Sequence, residues 1–281
     1  MLTAQQLKSK AKAYAFDHEL SVQEVLVNYM FERILFRISL SEYADRIILK
    51  GGLLISSLFG FGNRSTLDMD ANIRNISIES QSLLDMLTKI VRTDASDNIC
   101  FEILGFEKIR KEDEYGGVRI KLVGNLENIK INLSIDFSTG DIITPNPILI
   151  PYPQLFEPSS LMILAYPIES ILAEKLHAIL DKNGLKGRMK DYFDLHYFVS
   201  KHMTSIQPST LKKAVTNTFD HRQSMFLLDQ SVEILHTISM SSLLQKRWTD
   251  FSGKHKYAQN IDFSETIISV EVLISMVNSA D

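Results

Sequence analysis

Along the first forty residues the apolar positions return every three or four places, and the pattern predicts helix. Ser21-Val22-Gln23-Glu24 has the form of a capping box, and behind it Val22, Leu26, Tyr29, Phe31 and Ile34 recur at roughly helical spacing. Ile47-Ile48-Leu49 is a short apolar run that stops at Gly51-Gly52. Leu53 to Phe59 then reads as a short helix ended by Gly60 and Gly62. From Leu67 to Ile73 the period changes to two: Leu67, Met69, Ala71 and Ile73 alternate with Asp68, Asp70 and Asn72, which predicts a strand. A helix is expected from about Glu79 to Val91, and further strands over 99–108, 118–123 and 129–137. The last alternates cleanly, with Ile131, Leu133, Ile135 and Phe137 on one face and Asn132, Ser134 and Asp136 on the other.

Five of the seven prolines (Pro145, Pro147, Pro151, Pro153 and Pro158) then crowd together. Proline fixes φ and removes a backbone donor, so regular elements are not expected here, and the domain boundary is placed within this stretch. After Pro167 the pattern is helical to the end, with breaks near Gly184–Gly187, Pro208 and Gly253. The expected fold class is therefore α/β (α+β). Residues 1–155 form a domain with a short mixed sheet and flanking helices, and 156–281 form an all-α helical domain.

Composition narrows the class without naming it. The chain has 281 residues, 45% hydrophobic and 23% charged, the profile of a folded protein with material for a core. A net charge of −4 gives no general field for nucleic acid, so any such contact needs a local basic patch. The single cysteine, Cys100, excludes an intramolecular disulfide and reads as a buried thiol between Ile99 and Phe101. No apolar run is long enough to cross a bilayer and no signal core opens the chain, so a cytoplasmic protein is expected.

The candidate chemistry lies in the carboxylates. Asp68 and Asp70, one residue apart on an expected strand, share a face. Magnesium prefers such oxygen ligands and bridges them to substrate phosphates. Lys50-Gly51-Gly52 ends a strand and opens a helix, where backbone amides can approach a triphosphate closely. Arg64, Ser65 and Thr66 lead directly into the acids, and Asp136 could supply a third carboxylate by strand pairing.

These strings resemble polymerase-β-type nucleotidyltransferases and, more closely, the AbiEii toxin branch of bacterial abortive-infection toxin–antitoxin systems. The resemblance continues in Ala173-Glu174-Lys175-Leu176-His177-Ala178-Ile179-Leu180 and in Arg188-Met189-Lys190-Asp191-Tyr192-Phe193-Asp194-Leu195. It implies that Asp68, Asp70 and Asp136 bind Mg2+. It further implies that Lys50, Gly51, Gly52, Arg64 and Ser65 hold the phosphates of a nucleoside triphosphate substrate, and that Lys175 contacts the same triphosphate. Asp191 is implied as a catalytic-site acid that either holds Lys175 or acts as general base.

The residues of the second half also speak for themselves. Lys175 falls within the apolar stripe Ile168, Ile171, Leu172 and Ile179, so it must reach out, pair with an acid or serve a ligand. Lys190 can pair with Asp194 at i,i+4 spacing. His177 and His196 read as packing or surface residues. Lys246-Arg247-Trp248 and Lys254-His255-Lys256 are small basic clusters that could contact an RNA backbone or simply be solvated helix ends.

The function implied is a Mg-dependent, toxic nucleotide transfer with RNA such as transfer RNA as acceptor. Transfer to a small molecule of the antibiotic type, transfer to a protein, and a non-catalytic nucleotide-binding regulator are the rival readings. The partner implied is a cognate antitoxin, a winged-helix repressor, with or without stable contact.

Overall fold

The computed structural model describes residues 1–77, 81–109, 116–181 and 188–280. The chain divides into two compact units: Met1–Asp141 with Ile148–Ala165, and Ile142–Pro147 with Tyr166–Asp281.

The helix expected over the first forty residues is two helices, α1 (Ala4–Asp17) and α2 (Val22–Leu40). Each opens on a capping box, Thr3 with Gln6 and Ser21 with Glu24, and Glu19 turns the chain between them at φ 56°. α2 is buried on most sides, Glu32, Arg33 and Arg37 included, and packs on the sheet and on α4 (Gln81–Arg92).

The sheet of the first unit is built, among the described residues, from β1 (Ile47–Lys50), β2 (Met69–Ile73), β3 (Cys100–Ile109), β4 (Gly117–Leu126), β5 (Ile129–Ser138), β6 (Ile148–Pro153) and β7 (Ser160–Ala165). Its order is β3-β4-β5-β2-β1-β7-β6. The β2–β5 and β1–β7 pairs are parallel and the others antiparallel. The alternation read in β5 is real: Ile131, Leu133, Ile135 and Phe137 are all buried.

The proline-crowded stretch does carry regular structure. β6 runs through Pro151 and Pro153 and pairs with β7. It is an edge strand, where a missing N–H on the open side costs no ladder bond. Cys100 is exposed, contrary to the sequence reading. Alternation at the start of β3 sends Ile99 and Phe101 inward and the thiol outward.

Among the described residues the second unit is helical throughout its regular elements, as the pattern after Pro167 predicts, whereas β7 lies within the 156–281 expected to be all helix and belongs to the sheet. It contains α5 (Ile168–Leu180), α6 (Met189–His202), α7 (Pro208–His221), α8 (Phe226–Asp229), α9 (Ser231–Ser239), α10 (Ser242–Lys254) and α11 (Phe263–Ser279). Pro208 sits in the first turn of α7, where its missing N–H is harmless, and α10 ends one residue past Gly253. The break expected at 184–187 lies outside the described residues. α5 packs on α6 and α7, and Leu172, Leu176, Ile179, Tyr192, Leu195 and Phe219 form its core.

Candidate functional site

β1 ends at Lys50, and the chain turns into α3 (Gly51–Phe59) through Gly51 at φ 67°. That conformation favours glycine, and the surroundings demand it a second time. An added Cβ at Gly51 would lie 2.1 Å from Asp70 Oδ2. At Gly52 it would meet Thr66 Oγ1 at 2.8 Å and Nη2 of Arg64 at 3.5 Å. The glycine pair, Asp70, Thr66 and Arg64 are thus brought together by the β1–α3 turn. Lys50 gives the first turn of α3 no side-chain cap.

Lys50 and Arg64 are both buried. The Lys50 ammonium pairs with Asp141 Oδ2, which also accepts from Asn72 Nδ2 at 3.0 Å and from Ser138 Oγ at 2.9 Å. Arg64 donates to the carbonyl of Ser65, itself buried. Asp141 has no distinctive sequence context, and only the fold reveals its part.

Asp70 lies in β2, whereas Asp68 stands one residue before it and is exposed. Thr66 Oγ1 accepts from the Asp68 N–H at 3.4 Å and donates to its carbonyl at 3.3 Å. These local bonds compete with the ladder and start the strand later than the alternation predicts. Across the sheet Asp70 is register partner of Lys50 on β1 and of Asp136 on β5, and Asp136 is register partner of Arg119 on β4. Paired positions share a face, so four strands set Lys50, Asp70, Asp136 and Arg119 in one row. Two neighbouring carboxylates about 5 Å apart repel by roughly 3 kcal/mol at an effective dielectric near 20, so the pair calls for a cation.

Arg119 supplies one. Its Nε and Nη2 donate to the two oxygens of Asp136, each at 2.7 Å, a bidentate pair that holds the guanidinium even more firmly protonated than usual. Sequence reasoning did not single out Arg119. Its position on the polar face of β4 was visible, but its partner depends on strand register. Among the described residues no three His, Cys, Asp or Glu side chains group closely enough to hold a metal ion. The donor chemistry nevertheless suits a hard cation, because the acids offer oxygen only, and the missing Cβ of Gly51 makes the room that the Asp70 carboxylate fills.

In the second unit Lys175 is almost buried, as its place in the apolar stripe of α5 requires. It is held by two carboxylates of α6, Asp191 Oδ1 and Asp194 Oδ2, each at 2.7 Å. Burial pulls the ammonium's pKa down, but the two carboxylates more than offset this and raise it. His177, two residues on, accepts at Nδ1 from Arg222 at 3.0 Å, because a guanidinium can only donate. Its Nε2–H therefore donates to Ser224 Oγ at 2.9 Å, and Ser224 donates to the Phe219 carbonyl at 3.1 Å. Burial and Arg222 push His177 down to about 4, so it is a neutral packing residue. His196 bonds Ser269 at 2.9 Å. Trp248, beside Lys246 and Arg247, is buried and donates to the Ile261 carbonyl at 2.8 Å, which leaves its ring to the core.

The family model described as nucleotidyl transferase AbiEii toxin, type IV TA system, matches residues 33–268. Two solved structures from Helicobacter pylori share the fold. One, of a protein described as a candidate nucleotidyltransferase, has 16% identity and a TM-score of 0.50, covering 92% of this chain and 96% of its own. The other, JHP933, has 16% identity and a TM-score of 0.51, covering 92% and 93%. No curated protein sequence matches the chain.

Proposed function

Since the chain belongs to the AbiEii nucleotidyltransferase toxin family, we propose that it uses Mg2+ and a nucleoside triphosphate to attach a nucleotide to RNA, with transfer RNA as the acceptor class. The observation that carries this reading is the acidic row set against a glycine turn: Asp70 beside Gly51, with Asp136 as its register neighbour. Asp68 and Asp70 would hold the metal, and Asp136 would be the third ligand. When bound, Mg2+ supplies charge that polarises the phosphoryl oxygens and offsets what develops on the leaving group.

Gly51, Gly52, Arg64 and Ser65 are assigned to the triphosphate. Asp70 and Thr66 come close to the two glycines because no Cβ stands in the way, and the uncapped first turn of α3 offers N–H donors to an anion. Lys175 is assigned to phosphate as a point charge, with Asp191 keeping it oriented. Lys50 contributes from within the sheet, through Asp141. In the reaction an acceptor hydroxyl oxygen bonds to the α-phosphorus as the bond to the β-phosphate oxygen breaks, and pyrophosphate leaves in line. The biological role is growth inhibition in the cytoplasm, countered by a cognate antitoxin of the winged-helix repressor kind that need not bind stably. Among the described residues no helix is long and apolar enough to cross a membrane.

The test is to incubate the protein with Mg2+, total bacterial RNA and each α-labelled nucleoside triphosphate in turn, alongside folded Asp70→Asn. Label on a discrete RNA species that the variant fails to produce is the expected result. Equal labelling by Asp70→Asn overturns the metal site. Label on protein or on a small molecule instead moves the acceptor to another class.

A further inference from the structure

The acidic row has two cations at its ends, and they are not equivalent. Lys50 is fixed: its side chain is 7% exposed and its ammonium sits on Asp141, which Asn72 and Ser138 also hold. Arg119 is different. Its side chain is 38% exposed, so the fork that grips Asp136 reaches solvent. It can turn away without disturbing the core, since a long charged side chain keeps its head at the water boundary.

The fork also occupies both oxygens of Asp136. The guanidinium takes the lone pair of each oxygen that faces it, so a divalent cation cannot be chelated by both oxygens from that side. Two adjacent acids need a positive charge between or beside them, and in this arrangement a side chain of the protein provides it.

We propose that Arg119 is a built-in, exchangeable counter-ion: it closes Asp136 to metal until a divalent cation displaces it, and the freed guanidinium then takes an anionic group of the substrate. This rests on the metal-site reading of Asp70 and Asp136. Metal and polyphosphate therefore bind cooperatively, each removing a cost that the other would meet alone, because a polyphosphate gives the displaced guanidinium a new partner. Arg119 thus acts first through Asp136 and then on the substrate itself.

The experiment measures Mn2+ binding to the full chain by calorimetry and electron paramagnetic resonance, with and without inorganic triphosphate. Wild type is compared with Arg119→Ala, Arg119→Lys and the double variant Arg119→Ala/Asp136→Asn. Without triphosphate, Arg119→Ala should bind Mn2+ about tenfold more tightly than wild type, the scale of a lost charge-assisted bidentate pair. Arg119→Lys keeps the charge but not the fork and should fall between them, which preserves the test if the alanine variant fails to fold. Adding triphosphate should tighten Mn2+ binding more in wild type than in Arg119→Ala, and Asp136→Asn should erase the gain. If wild type binds Mn2+ and the Arg119 variants bind it equally or more weakly, Arg119 is a fixed structural partner and the proposal fails. If none of the folded proteins binds Mn2+ in either condition, the metal-site reading falls and takes this proposal with it.

Discussion

Replacing Lys175 with methionine keeps the length of the side chain and removes its charge. Two carboxylates then lose the ammonium they share, and one of them, Asp194, is 0% exposed. Removing one partner of a buried ion pair costs about 3–5 kcal/mol, because the other charge stays behind unpaired. For a helical unit of this size that is a fall in Tm of roughly 10–20 °C. The pH dependence follows by sign. In the wild type the Lys175 pKa lies above the ordinary 10.5, so its stabilisation is fully present below that value and lost only as pH rises through the higher folded one. From pH 5 to 8 this group adds no slope. Trp248, the only tryptophan, is buried in α10 of the same unit, so its emission during urea denaturation reports that unit directly. A loss at pH 8 under about 1 kcal/mol would refute the reasoning.

Gly51→Ala should cost about 1–2 kcal/mol for a left-handed alanine and should also displace the Asp70 carboxylate. Melting temperature and labelled product should therefore drop together, while Gly105→Ala, where an added Cβ meets nothing within 4 Å, changes neither. Glu32 offers a pH test in the first unit. Burial pushes it up to about 7 from 4.5, although it accepts from the Leu155 N–H at 2.6 Å and pairs with Arg33. The folded chain then holds more protons than the unfolded one across that window, so stability should fall as pH rises through it, by roughly 3 kcal/mol. Glu32→Gln should flatten the slope in urea midpoints followed by circular dichroism, and an unchanged slope would exclude Glu32 as its source.

What the sequence made legible and what it hid divide along physical lines. Local periodicity was enough for β5, for the helices around Ser21 and Ile168, and for setting Asp70 and Asp136 on polar strand faces. It overextended β2 back to Leu67, because the Thr66 hydroxyl bonds that delay the strand leave no periodic trace. It missed β6, since proline statistics describe central strands and an edge strand escapes their penalty. Partnerships over long sequence separation were invisible. Packing of α5 on α6 brings Lys175 to Asp194, which helical spacing does not show, and the pairing of Lys50 with Asp141 and of Arg119 with Asp136 exists only once register is set.

The two edges of the sheet differ in kind. β6 carries Pro151 and Pro153, two places apart, so the donors they lack would all have pointed to the same side. β3, at the other edge, exposes Leu104 and Phe106 around an irregularity at Gly105. An endless ribbon of sheets needs two competent edges per molecule, one to give and one to receive. With one edge blunted, any sheet-to-sheet association of this chain must be edge β3 on edge β3, a self-complementary contact that closes at two copies. Crowding such molecules can produce pairs, but fibre growth by that route has no second end from which to continue.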